Sequence, residues 1–312
     1  GAIDGVFHGD TRFVRATRVR YGTDAATHAP EWISRSADAA SDLRFEALLR
    51  RLDDRTPDPK IRLTRRRIVA DGRVTEEFTL VSHLDGPVPL VLEVAVTPDA
   101  TSMQDVKSGA APAAAIDRTL AGDAVEITAG DASMRLSAPG AEVAASEDDI
   151  VLTWHLECPP RARMTVSWRL DLDDPSLVVR GTSRESGWAV PESPGADPRL
   201  HRWLRQALDD LDALRLTLPG SADEFFAAGA PWFFTLFGRD SLWAARLFLP
   251  VDPGMAASTL RVLGRLQGST ADPETAEEPG KIAHELRAGT LTMPGEGISL
   301  PPLYYGTVDA TP

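Results

Sequence analysis

The sequence predicts a multidomain β plus α chain, an N-terminal antiparallel β-sandwich followed by a region of helices. Three observations carry this expectation. Up to about Leu177, short runs of alternating apolar and polar residues recur between turn residues, with no helical period among them. From about Asp197 the apolar period lengthens toward 3.6 residues. Between the two lies "RESGWAVPESPGADP", whose Ser, Gly and Pro content reads as a linker. The domains are therefore placed at 1–183 for the sandwich, 184–198 for the linker and 199–312 for the helical region.

In the first region the strand-like runs are "RVTEEFTLVSH", "VPLVLEVAVTP", "DAVEITAGDASMRLSAPG", "DIVLTWHLECPP" and "ARMTVSWRLDL". Asp71-Gly72, Asp85-Gly86-Pro87, Gly130-Asp131, Pro139-Gly140 and Pro159-Pro160 break or reverse the chain between them. "DLRFEALLRRLDDR" has leucines spaced for a short helix, and "SMQDVKSGAAPAAAIDRTLAGD" is poor in strand formers and reads as a loop. In the second region Leu200, Trp203, Leu204, Ala207, Leu208, Leu211 and Leu214 share one helical face, with Pro198 in the first turn. A second helix is expected over 241–249, capped by Asp240 or Ser241 and closed by Pro250. Asp252-Pro253 opens a third, and a short helix is expected over 279–287.

Composition narrows the function. With 312 residues, 43% hydrophobic and 25% charged, the chain has globular rather than disordered composition. A formal charge of −13 argues against nucleic acid or an anionic membrane as partner. The lone Cys158 excludes an internal disulfide framework and multi-cysteine metal sites, fits a cytoplasmic location, and reads as inert core. No run of 18 apolar residues and no signal peptide is seen. Because the sequence starts without Met, upstream residues are expected to have been removed or not included.

P-loop, H-E-x-x-H, G-x-G-x-x-G and G-x-S-x-G motifs are all absent. What remains is carboxylates among aromatics: Asp240, the group Glu277, Glu278 and Glu285, and Asp309 near Tyr304 and Tyr305. Sugars suit such a surface. Their C–H faces stack on aromatic rings, while each desolvated hydroxyl left without a partner costs about 1–3 kcal/mol. Glycosidic cleavage further needs two carboxyl groups, one of them protonated.

Four stretches carry a family resemblance. "DGVFHGDTRFVRATRVRYG" resembles the opening of the N-terminal β domain of bacterial glycogen debranching enzymes of the amylo-α-1,6-glucosidase type. "AGAPWFFTLFGRDSLWAARLFLP", "LQGSTADPETAEEPGKIAHELRAG" and "PPLYYGTVDATP" resemble three successive motifs of that family's catalytic domain. The resemblance implies a β-sandwich followed by an (α/α)6 toroid. At roughly 11–12 residues per helix, residues 199–312 hold only its first helices, so the toroid is expected to be incomplete and the chain a fragment of a longer one. It also implies release of glucose from α-1,6 branch points of glycogen-like glucans by inverting acid/base hydrolysis. No cofactor or metal is implied; the implied partners are a glucan or oligosaccharide and the remainder of the polypeptide.

Residue by residue, Asp309 takes the general-acid position of "YYGTVDATP", against a plain reading as a helix N-cap. Asp240 reads as a helix cap, as a ligand for sugar hydroxyls, or as both, with Arg239 holding it ionised. Lys281, His284 and Glu285 read either as a substrate-contacting loop or as a solvated helix face with an i, i+4 pair. Trp232 is the candidate sugar platform, Phe237 and Trp243 are expected in the core, and Tyr304 and Tyr305 as pocket walls. Arg12 is expected to pair with Asp10. The general base is expected beyond residue 312. Other readings are a glycosidase of the same architecture acting on another substrate (trehalase-like, mannosylglycerate or rhamnoside), or a non-catalytic carbohydrate-binding fragment.

Overall fold

The computed structural model describes residues 3–53, 58–109, 115–191, 197–293 and 297–311. The chain divides into two compact units, Gly1–Pro175 and Ser176–Pro312. The division falls ahead of the 183 boundary because Val179 is buried in the second unit's core, and Trp188, placed in the linker from sequence, packs there too. Residues 192–196 of that linker lie outside the described residues.

The first unit is a sandwich of two antiparallel sheets. One runs Val6–His8, Thr11–Thr23, Val88–Ser102, Ile150–Cys158, Glu142–Ala145, with Ala26–His28 paired to the second strand. The other runs Glu31–Ala39, Asp42–Leu48, Ile61–Ala70, Arg73–Ser82, Arg163–Asp173, Ala132–Ser137, Ala124–Ala129, Asp117–Ala121. The turn signals fall where the sequence puts them: Asp71-Gly72 and Gly130-Asp131 are two-residue hairpin turns, with both glycines at positive φ. Leu80, Phe78, Leu136 and Trp168 of one sheet and Leu92, Val94, Leu152 and Trp154 of the other form a single core, which also takes in Cys158.

Two expectations in this unit are corrected. The stretch 42–52 is strand to Leu48, and only Arg50–Leu52 turns helically; 54–55 lie outside the described residues. Its backbone gains ladder bonds on both sides, from Glu31–Ala39 and Ile61–Ala70, and this outweighs a weak helical preference. The expected loop after residue 101 contains a helix, α1 (Met103–Ser108), and a strand, Asp117–Ala121, with 110–114 outside the described residues. Ser102 caps α1 by accepting from the Asp105 N–H at 3.0 Å, and Gly109 ends it in the left-handed region.

Charged groups are also buried here, and Glu76 and Asp99 are each held by arginine. Along Arg73–Ser82 every second residue points inward, and one of them is a carboxylate, Glu76, fully buried. Arg65 donates to both its oxygens, at 2.6 and 2.9 Å, and Arg67 donates to Oε1 at 2.6 Å. Arg65 also reaches Thr17 of the opposite sheet at 2.8 Å. Arg12 pairs with Asp99 at 2.6 Å, across to the neighbouring strand of its own sheet.

The second unit carries α2 (Pro198–Asp212), α3 (Gly238–Leu247) and α4 (Pro253–Arg265) with short antiparallel strand pairs. Both proline-led helices start as expected, with Asp197 and Asp252 as caps. α3 starts earlier than expected: Phe237 is its cap residue, without a side-chain bond, so Asp240 sits inside the first turn. The helix expected over 279–287 is absent. Gly280 takes a positive φ there, and the N–H groups of His284 and Arg287 bond to Tyr304 and Pro302 carbonyls instead of to their own segment. No helix among the described residues is long and apolar enough to cross a membrane.

Removing one member of a buried ion network strands the others without partners. Glu76→Ala is expected to cost about 3–5 kcal/mol of unfolding free energy in urea titrations, and the apolar triple replacement Arg65→Met, Glu76→Leu, Arg67→Met to recover most of it. In the second unit Arg261, at 2.6 Å, and then Arg265 hold Asp223 below the usual carboxylate range. A depressed carboxyl stabilises the fold above its unfolded pKa of about 3.9 and loses that contribution as pH falls through the folded value. Asp223→Asn is therefore expected to melt lower at neutral pH and to show a shallower loss of melting temperature on acidification.

Candidate functional site

The polar insert Gly238-Arg239-Asp240-Ser241 forms the first turn of α3, and each residue faces a different surrounding. Gly238 sits where the chain is closest: its N–H donates to the His284 carbonyl at 3.0 Å, and a Cβ there would lie 2.1 Å from the Ala283 oxygen. Ser241 is fully buried, its hydroxyl donating to the Phe226 carbonyl at 2.7 Å. Arg239 and Asp240 are the two that remain partly exposed, 3.6 Å apart. Asp240 in a first helical turn also meets the positive end of the helix dipole.

Arg239 Nη1 donates to Asp309 Oδ2, which joins two motifs far apart in sequence. The Thr307 hydroxyl donates to the other oxygen of Asp309. First Thr307 and then Arg239 hold the Asp309 carboxyl below the usual carboxylate range. Arg239 is in turn held more firmly protonated, chiefly by Asp309 and then by Asp240. One guanidinium thus serves two carboxylates. Arg239 and Asp309 stand at a cavity of about 510 Å³ whose other walls include Leu242, Trp243, Leu249 and Leu260. Apolar walls with a few convergent polar groups are the usual make-up of a small-molecule site.

Beside this turn, four rings meet edge to face in sequence: Phe233 and Phe237 at 5.7 Å, Phe237 and His284 at 5.8 Å, His284 and Tyr304 at 6.1 Å. Gly306 lets Tyr304 fold back, since a Cβ there would lie 1.9 Å from the Tyr304 hydroxyl. Tyr304 and His284 are thereby brought next to the α3 N-terminus.

Several residues singled out from the sequence are placed elsewhere. Tyr305 is buried, its hydroxyl donating to the Leu266 carbonyl at 2.7 Å. Glu285 is buried against Arg287 at 2.9 Å, and Arg287 lies over the Phe237 ring. Lys281 does not pair with Glu285. Its ammonium reaches the Ala276 carbonyl at 3.0 Å and Glu278 at 3.6 Å. Glu277 binds the N–H groups of Ser269 and Thr270, which hold its carboxyl low. Trp232 is half-buried and Phe237 is core, whereas Trp243, expected in the core, is exposed with Arg246 stacked on it. Thr307 is the residue the sequence reading passed over; its place two before Asp309 is the signal of a hydroxyl-bearing turn. Among the described residues, no group of three or more His, Cys, Asp or Glu side chains could hold a metal ion.

No curated protein matches the sequence. Among solved structures the chain is similar to a bacterial glucoamylase complexed with acarbose, with TM-score 0.46, 12% identity and coverage of 89% of this chain and 47% of that one. It is also similar to a putative kojibiose phosphorylase from the human microbiome, with TM-score 0.37, 12% identity, and 52% of this chain on 23% of that one. A putative aldose 1-epimerase from Escherichia coli K12 gives TM-score 0.31 and 8% identity over 49% of this chain and 78% of that one. The chain spans about a quarter of the length of the phosphorylase and about half that of the glucoamylase. Residues 1–169, more than half of the sequence, match the family described as the N-terminal domain of (some) glycogen debranching enzymes, and the chain belongs to that family.

Proposed function

We propose that the chain is part of a cytoplasmic glycoside hydrolase that releases glucose from α-1,6 branch points of glycogen-like glucans, with α2, α3 and α4 opening an (α/α)6 toroid. Membership of the debranching-enzyme family supports the substrate class. Within the chain the reading rests on one observation, the contact of Arg239 with Asp309 across 70 positions of sequence at the edge of a cavity. Asp309 donates the proton to the departing glycosidic oxygen. Asp240 and Arg239 bind hydroxyls of the terminal glucose, with Trp232, His284 and Tyr304 as its apolar neighbours. Lys281, Glu285 and Tyr305 act from behind, by fixing the loop that carries His284 and Tyr304. An inverting reaction also requires a carboxylate base about 6.5–9.5 Å from the acid, with room for water between.

A general acid must hold its proton at working pH, and Thr307 and Arg239 oppose this at Asp309. Substrate therefore has to draw Arg239 away, toward a sugar hydroxyl and Asp240, before Asp309 can be protonated. The same low pKa favours a second reading, in which an ionised Asp309 only accepts hydrogen bonds from sugar hydroxyls and the chain binds glucan without turnover.

Both readings are separated by glucose release from branched dextrins, measured on the longest form of the polypeptide that shows activity. If Asp309 is the acid, Asp309→Asn lowers kcat by about 10²–10⁴-fold while dextrin binding persists. Loss of binding with kcat retained would favour the second reading. Removing the cation with Arg239→Met is expected to raise the Asp309 pKa, which moves the alkaline limb of the kcat/KM profile to higher pH. An unmoved limb would assign that limb to another group.

A further inference from the structure

One end of the β unit contains a cavity of about 440 Å³ between the strand Thr11–Thr23, α1 and the edge strand Asp117–Ala121. Its volume lies in the usual range for small-molecule sites, about 300–1,000 Å³. Three features of its walls concern charge. The first is the strand itself, whose pairing with Val88–Ser102 slips between Arg12 and Val14 and again between Val14 and Ala16. A bulge leaves a residue out of the ladder and re-aims its side chain, and here both irregularities flank the arginines at 12 and 15.

The second feature is the division of labour between those arginines. Arg12 is buried and bonded to Asp99, whose other oxygen accepts the N–H groups of Ala100 and Thr101 at 2.7 and 2.9 Å. That pair is electrically balanced and structural. Arg15 is exposed on the cavity and no hydrogen bond or ion pair reaches it among the described residues.

The third feature is Arg118. Its Nη1 donates to the Ser146 and Glu147 carbonyls at 3.1 and 2.6 Å, which pins the guanidinium without neutralising it. Its Nε–H is buried and has no hydrogen-bond partner among the described residues. Buried donors are nearly always partnered, and an unmet one next to a cavity points to a missing acceptor. Among the described residues, Asp99 and Asp148 are the carboxylates that line the cavity. Asp149, next to Asp148, is engaged by Arg18 and by Thr97.

We propose that this cavity binds a phosphate-type oxyanion, as free phosphate or as the phosphate group of a small monoester, between Arg15 and Arg118. Two guanidinium groups face one exposed carboxylate, so the local balance is positive. The chain's overall negative charge does not reverse this, because exposed charges farther than about 8 Å are screened at physiological salt. Guanidinium is suited to the task through charge-assisted bonds to several oxygens at once. Pro98, Val106 and Ile116 leave an apolar wall for the body of an ester, and among the described residues no aromatic ring lines the cavity to stack an unphosphorylated sugar.

The test is isothermal titration of the full chain with inorganic phosphate, with a hexose monophosphate and with the same hexose unphosphorylated. The two phosphate-bearing probes are expected to bind and to weaken as salt rises, while the hexose gives no heat. Tighter binding of the ester than of phosphate assigns the ester as ligand, and equal binding assigns the free ion. Arg15→Ala removes an exposed side chain that supports no other group, and is expected to weaken binding about tenfold, the loss of one charge-assisted hydrogen bond. Arg118→Lys keeps the charge, removes the Nε donor and is expected to weaken binding similarly. Arg35→Ala, on an exposed position of the strand Glu31–Ala39, is expected to change nothing. The proposal is overturned if neither phosphate-bearing probe binds, if the hexose binds as well as its phosphate, or if Arg35→Ala weakens binding as much as the cavity variants.

Discussion

The second unit is built around a backbone contact that position 238 permits only because it is glycine. At the first residue of α3 the chain comes so close to the Ala283 carbonyl that a single added carbon would overlap it. The closeness lets Phe237 bridge Glu285, sets His284 against the Phe237 ring and brings Ala310 alongside the turn. Arg239 follows directly in the chain, so its reach to Asp309 depends on how near α3 can lie to the 282–284 segment. A side chain at 238 would push these apart, and the two carboxylates would lose the cation they share.

That shared cation gives the site its electrical character. Asp240 and Asp309 share the Arg239 guanidinium, and a second one, Arg246, lines the same cavity, so two carboxylates are matched by two cations. Hydrolysis as proposed asks for a protonated Asp309, which the guanidinium opposes for as long as it stays on that carboxylate.

The strands Arg73–Ser82, Val88–Ser102, Ala124–Ala129, Ala132–Ser137, Ile150–Cys158 and Arg163–Asp173 were legible in the sequence from their alternation and from turn residues such as Asp71-Gly72 and Gly130-Asp131. Helices α2 and α4 were legible from Asp197-Pro198 and Asp252-Pro253, where cap and first-turn proline sit together. The stretch 42–55 reads as helix because Leu43, Leu48, Leu49 and Leu52 satisfy a helical spacing, and the deciding factor, a strand on each side of Asp42–Leu48, lies outside the segment. α1 was missed although Ser102, Asp105 and Gly109 mark its two ends; its shortness hid it among alanines. In the site, motif order located Arg239, Asp240 and Asp309, but nothing local tells Tyr304, which meets His284, from Tyr305, which is spent on the Leu266 carbonyl. Burial of neighbouring residues on opposite faces is decided by the partner strand, not by their identity.

The carboxylate enclosed in the sandwich bears on how that fold avoids error. Neighbouring residues of a strand face opposite sides, so a slip of one position in Arg73–Ser82 would turn Glu76 outward and bring Glu77 and its apolar-facing neighbours into the wrong layer. A slip of two positions keeps the faces, and an all-apolar interior would accept it at small cost. Here it would set Val74 or Phe78 opposite Arg67 in place of Glu76, breaking up the partners of a buried charge. The buried triad therefore serves as a proofreading mark for strand alignment, legible to the chain only when every residue of the hairpin is in its own place.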